Sequence, residues 1–121
     1  MSWKNSCAIG LFAAAVMSAG EARAADSHQF NGLAAYYDKG YAGRTASGEP
    51  YDPAKFTCAH RSLPFGTRLR VTDPRSKRSV EVVVNDRGPF TKGRVIDLSF
   101  AAATALHMTG RGVMNVVAEI Q

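Results

Sequence analysis

Residues 67–90 read TRLRVTDPRSKRSVEVVVNDRGPF, and along them the apolar positions recur with a period of two. Leu69 and Val71 alternate with Arg68 and Arg70, the pattern of a strand with one wet face. Asp73-Pro74-Arg75-Ser76-Lys77 is dense in turn formers. The apolar run Val80-Glu81-Val82-Val83-Val84 follows, so the segment predicts a hairpin with strands over 67–72 and 78–85. The second strand carries β-branched residues on both faces and is expected to be buried on both. Asp86-Arg87-Gly88-Pro89-Phe90 then ends it abruptly, because Gly and Pro interrupt a ladder.

Outward from the hairpin, the same signals repeat at short intervals. Residues 33–37 are short, apolar and aromatic and predict a first strand, whereas 38–53 hold Gly40, Gly43, Gly48, Pro50 and Pro53 without periodicity and predict a long loop that carries function. Residues 95–98 predict another strand. Ser99 is a suitable N-cap for an alanine-rich helix over 100–107, ended by Gly110 or Gly112. Residues 113–120 return to alternation as a last strand. Several short strands and one helix in so short a chain predict a mainly β fold, a small closed barrel with no exposed strand edge.

The chain has 121 residues, with 15 Lys+Arg against 10 Asp+Glu and a formal charge of +5. That is the size of one small domain. Its two cysteines, Cys7 and Cys58, are too few for a disulfide scaffold or a four-cysteine zinc site. No apolar run reaches the roughly 18 residues that cross a bilayer. Lys4, the apolar stretch 8–19 and Ala22-Arg23-Ala24 together have the form of a secretory leader, so residues 1–24 are expected to be a signal peptide cleaved after Ala24. Cys7 precedes the apolar stretch, where a lipid-modified cysteine would not stand. The expected product is therefore periplasmic or secreted, not a lipoprotein and not inserted in the membrane, with a flexible start over 25–32 and the barrel over 33–121. Removing Lys4, Arg23 and Glu21 leaves 13 basic and 9 acidic residues. In an exported domain that excess matches anionic envelope polymers better than nucleic acid, or it serves solubility alone. A monomer is expected.

The blocks AAYYD (34–38), GRTASGEPYD (43–52), CAHRSLPFGTRLRVTD (58–73), NDRGPF (85–90) and GRVIDLSFAAATAL (93–106) resemble, in this order, the rare lipoprotein A family. The resemblance implies a six-stranded double-psi β-barrel, shared with expansins and several lytic transglycosylases. It implies peptidoglycan glycan strands as substrate and a reaction that leaves 1,6-anhydromuramyl ends. It also matches Glu49, His60 and Asp86 to the family's SGE, AHR and NDRGPF residues, with Asp86 as acid/base, His60 polarising it or the substrate, and Glu49 positioning His60 or binding sugar. Expansin-like barrels are similar in having an Asp before Leu-Ser, which singles out Asp97. Neither a lipid anchor nor a C-terminal glycan-binding repeat is expected. The rival function is an expansin-like module that binds or loosens the wall without cutting it.

Chemistry points to Asp86 separately. Glycosidic cleavage needs a carboxylic acid for the leaving oxygen. Asp86 ends a hydrophobic strand at a Gly-Pro turn, where a rigid scaffold holds it and the preceding valines desolvate it. The residue types alone leave alternatives open: Asp86 as an Asx-turn residue, Glu49 as a solvated loop acid, His60 as a satisfied structural histidine, and Asp97 as a helix cap or buttress. Arg87 would favour the ionised form of Asp86 if it faced the same way. Tyr36, Tyr37 and Tyr51 are candidates for sugar stacking. Cys58 and His60, two apart, allow a thiolate reading, but no oxyanion-hole motif accompanies them. His28, His60 and His107 are scattered, so no metal or cofactor is expected.

Overall fold

The computed structural model describes residues 28–121; the expected leader over 1–24, its cleavage point and Cys7 lie outside the described residues. The described chain forms β1 (Gln29–Tyr36), β2 (Thr57–Ala59), β3 (Arg68–Thr72), β4 (Ser79–Asp86), β5 (Arg94–Leu98), the helix α1 (Phe100–Ala105) and β6 (Met114–Ile120). The strands close into a barrel in the order β1-β5-β2-β4-β3-β6. The pairs β1–β5 and β2–β4 are parallel and the others antiparallel. Only β3 and β4, the expected hairpin, are neighbours both along the chain and in space. Closure leaves no long strand edge open to pairing with another chain.

Alternation fills the interior. Leu69, Val71, Val82, Val84, Ile96, Leu98 and Val116 point inward and are buried almost completely, joined by Leu106 and Met108 from the segment after α1. Each such side chain contributes roughly 1.5–3 kcal/mol on leaving water.

Three expectations are corrected. First, β1 begins at Gln29, and residues 29–32, expected to be flexible, pair with β6 through Gln29–Glu119, Phe30–Ala118, Asn31–Val117 and Gly32–Val116. Phe30 packs against the core while Gln29 and Asn31 are exposed, so the polar residues mark an outer face. Gly32 is required there: a Cβ would meet Val95 Cγ1 at 2.6 Å. Second, β4 is buried on one face only. Val80, Val82 and Val84 face the core while Ser79, Glu81 and Val83 are exposed, because a barrel wall has an inside and an outside. Third, the helix stops at Ala105, before either glycine. His107 takes the left-handed conformation at φ 59. Its amide bonds Thr104 O and that of Met108 bonds Ala103 O, each at 3.0 Å, the Schellman pattern. Burial of Leu106 and Met108 turns the chain back to the core at that point.

Candidate active site

A row of register partners crosses four strands: Ala35 of β1, Asp97 of β5, Ala59 of β2 and Asp86 of β4. Two carboxylates thus flank one alanine. Ala35 and Ala59 are buried yet lie outside the interior cluster that contains their neighbours Ala34, Cys58 and Leu98. The row therefore lies on the outer face of the wall.

Strict alternation would turn Asp86 the other way, since Val80, Val82 and Val84 point inward. The register between β2 and β4 shifts here: Cys58 pairs with Val84, but Ala59 pairs with Asp86, leaving Asn85 as an extra residue. That bulge re-aims Asp86 to the outer face beside Ala59, a common use of bulges near sites. Gly88, at φ 124, then carries the chain away through a conformation that L side chains rarely adopt.

Donors converge on the Asp86 carboxylate. Oδ1 accepts from the amides of Ala46 at 2.8 Å and Arg87 at 2.9 Å, and the Tyr37 hydroxyl donates to Oδ2. The Ala46 amide arrives from the long loop, whose turn is closed by Thr45 N to Glu49 O at 2.8 Å and Gly48 N to Thr45 O at 3.0 Å. Ser47 N to Asn85 O at 3.2 Å ties this turn to β4. Tyr37 stacks on Tyr51 with centroids 4.4 Å apart, and Tyr41 packs on both at 5.4 Å. Burial first, then the bond to Asp86 and the charges of Asp86 and Asp97, push the Tyr37 phenol well above its usual range, so Tyr37 remains a donor.

Asp97 is half-buried, and its Oδ1 is fully buried without a hydrogen-bond partner. Burial raises its pKa above the ordinary carboxylate value; Arg94 opposes the shift and the Asp86 charge adds to it. Capping of α1 falls to Ser99 instead, whose Oγ accepts from Ala102 N.

The other expected residues divide. Glu49 Oε1 accepts from Ser47 Oγ at 3.3 Å and Asn85 Nδ2 at 3.5 Å, so it braces the loop beside Asp86. The His60 imidazole lies elsewhere, edge-on to Phe30 at 5.1 Å, with Nδ1 accepting from the amides of Ser62 and Leu63, both at 3.1 Å. Only its backbone reaches Asp86, through His60 N to Asp86 O at 3.1 Å. Burial, with Arg61 and Arg87 nearby, lowers the His60 pKa, so the neutral ring carries its proton on Nε2. Arg87 turns away from the Asp86 side chain: its guanidinium donates to His60 O at 3.2 Å and covers the Phe65 ring at 4.1 Å. Tyr51 is buried and its hydroxyl accepts from Phe100 N at 2.9 Å, which supports Tyr37 and leaves no face for sugar. The Tyr36 ring packs against the core, and its hydroxyl accepts from Gly110 N at 2.9 Å. Cys58 lies in the core with its thiol pushed up to about 12 by burial and then by the Asp97 charge, which removes the thiolate reading. The Ala46 amide carried no sequence signal, since any residue but proline supplies it. Exposed Phe65 and Phe90 were likewise unmarked.

Comparison with known proteins agrees with this fold. A family profile described as lytic transglycolase, of the double-psi β-barrel type, matches residues 29–118. The chain is 58% identical over 94 residues to the probable endolytic peptidoglycan transglycosylase RlpA of Nostoc sp., covering 75% of this chain and 25% of that protein. It is 45% identical over 97 residues to the endolytic peptidoglycan transglycosylase RlpA of Pasteurella multocida, covering 79% and 33% respectively. It thus spans a quarter to a third of the length of these relatives. Among solved structures, the Streptomyces papain inhibitor superposes with a TM-score of 0.62 at 25% identity, covering 76% of this chain and 93% of that one. With the matched profile extending from β1 into β6, this chain belongs to the lytic transglycolase family of double-psi β-barrels.

Proposed function

We propose that this domain is a lytic transglycosylase acting on peptidoglycan glycan strands, exported to the periplasm or beyond and working as a monomer. One barrel serves proteins as different as a transglycosylase and a protease inhibitor, so the fold alone does not carry the function. The observation that does is Asp86, re-aimed by a bulge onto the outer wall and held by the loop amide of Ala46 and the Tyr37 hydroxyl. A carboxylate fixed on a rigid element and still partly exposed suits proton exchange with a bound sugar. The bridge oxygen is protonated, the bond to C1 breaks, and the muramyl 6-hydroxyl closes on C1. No water is consumed and a 1,6-anhydro end remains.

Asp86 exchanges the proton in this reading. Tyr37 positions it, with Tyr51 behind the ring, and Glu49 holds the loop turn that delivers the Ala46 amide. His60 offers its Nε2 proton to the substrate from a shallow depression lined by Phe30, Arg61, Ser62 and Val95. Arg87 holds His60 O and Phe65 in place.

The test incubates the protein with intact and peptide-stripped peptidoglycan and seeks anhydromuramyl ends by mass spectrometry. Release by the wild type and a loss of about 100-fold or more in Asp86→Asn are expected. Binding without anhydro ends, equal in both proteins, would instead identify a wall-binding module.

A further inference from the structure

The turn between β3 and β4 and the segment after α1 together enclose an open recess of about 510 Å³. Arg78 directly precedes β4 and Asp86 is its last residue, so roughly 25 Å of strand runs between the recess and the candidate active site. Arg75 and Arg78 line the recess from the turn, His107 and Arg111 from the segment after α1, and buried Leu106 supplies its apolar part. Main-chain bonds fix both sides. Asp73 N to Arg78 O at 2.9 Å and Lys77 N to Asp73 O at 2.8 Å close the turn, and Arg111 N to Met108 O at 3.0 Å closes the other segment.

Three guanidiniums gather here without a counter-charge. Arg68 and Arg70 share Glu81, and Arg87 is spent on His60 O. Among the described residues, no ion pair or hydrogen bond engages the Arg75, Arg78 or Arg111 guanidinium; Arg75 and Arg78 reach Asp73 Oδ1 and Ser76 Oγ through their amides. Asp73 is the carboxylate at the recess, and its oxygens are occupied by Arg75 N at 3.0 Å and Ser76 Oγ at 2.9 Å. It offsets part of the positive charge and leaves an excess. Like charges held in one recess repel, and an anion placed among them reverses the sign of that energy.

Backbone strain falls at the same place. Lys77 at φ 69 and His107 at φ 59 are the non-glycine residues in the left-handed region among the described residues, one beside Arg78 and the other lining the recess. Glycine takes that conformation at lower cost, yet each position carries a side chain able to hold a positive charge. Strain kept in this way gathers at ligand clamps.

We infer that this recess is a binding site for a phosphoryl group. A guanidinium fork matches phosphate oxygens bidentately, and donors arriving from two sides suit a tetrahedral anion better than the single plane of a carboxylate. A phospholipid headgroup and a soluble phosphate present the same chemistry. Asp86 takes no part, so the site stands or falls separately from the transglycosylase reading.

The experiment titrates inorganic phosphate into the protein and follows amide shifts by NMR. Two double variants are compared with the wild type: Arg75→Gln with Arg111→Gln, and Arg68→Gln with Arg70→Gln, which removes the same charge from the exposed face of β3. Saturable shifts at residues 75–78 and 107–111 are expected in the wild type, weakened about 10-fold or more in the first variant and kept within about twofold in the second. Arg75 and Arg111 are exposed, so the first variant should melt close to wild type. Asp86→Asn should bind phosphate as the wild type does. Sedimentation with vesicles of phosphatidylcholine and phosphatidylglycerol in equal parts separates the sources. Recovery that requires Arg75 and Arg111 identifies a lipid headgroup; phosphate shifts without such recovery identify a soluble phosphate. The absence of saturable shifts at these residues, equal weakening in both variants, or acetate binding as tightly as phosphate overturns the site.

Discussion

At the scale of single residues, the bond between Tyr37 and Asp86 joins positions 49 apart in sequence, and only the closed barrel brings them together. Removing the hydroxyl takes one of three donors from the carboxylate and leaves the ring free to keep its stack on Tyr51. Hydrogen bonds to charged groups contribute about 1.5–3 kcal/mol, or roughly 10–100-fold in rate. Tyr37→Phe is therefore expected to lower anhydro release by that factor with a melting temperature close to wild type. Equal rates in the two proteins would remove Tyr37 from the site. Asp86 itself was legible as a carboxylate ending an apolar strand, but its direction was not, because the bulge at Asn85 depends on the partner strand. His60 shows the same limit: the residue is where a loop meets β2, and its ring direction follows from Phe30 and two local amides.

Among the elements, β3, β4, β5 and β6 were legible as strands, along with the second half of β1 and the start of α1 at Ser99. β2 spans only Thr57–Ala59, too short for a period to show, and exists because β4 and β5 pair with it on either side. The end of α1 was misplaced since glycine is the usual left-handed residue after a helix and here His107 occupies that position. The left-handed conformation costs an ordinary residue about 1–2 kcal/mol, and glycine loses about 0.5–1 kcal/mol more on ordering than others do. His107→Gly is thus expected to stabilise the fold by somewhat under ~1 kcal/mol in denaturant unfolding. Ser99→Ala should do the reverse. The Ser99 Oγ accepts from both Ala102 N and Thr57 N, each at 3.3 Å, and is buried, so its loss is expected to cost about 1–2 kcal/mol. A His107→Gly protein less stable than wild type would show that the imidazole makes a contact that outweighs the strain.

For the molecule as a whole, packing one thiol and one imidazole into a barrel wall sets the pH range in which the fold is strongest. The folded His60 has a lowered pKa, chiefly through burial, so as pH falls below its ordinary 6.5 the unfolded chain takes up the proton first and stability declines. Asp73 adds to this at lower pH: amide and hydroxyl bonds from Arg75 and Ser76 lower its pKa, and its contribution fades as acid protonates it. Asp97 acts with the opposite sign, its raised pKa favouring the folded state in acid and losing that effect as pH rises. On the alkaline side the Cys58 thiol has a folded pKa near 12 against an ordinary 9.0. Above pH 9 the unfolded chain therefore releases a proton that the native chain holds, and stability declines again. Tyr37 and Tyr51 act in the same direction from their ordinary value of 10.0 upward. Thermal unfolding should thus be highest between about pH 6.5 and 9. Cys58→Ala should weaken the decline between pH 8.5 and 9.5, before the tyrosines contribute, although the smaller side chain lowers stability at every pH. An alkaline slope in Cys58→Ala as steep as that of wild type would show that the thiol is not buried in the folded protein, and with it that β2 does not face the core as the register with β4 and β5 requires.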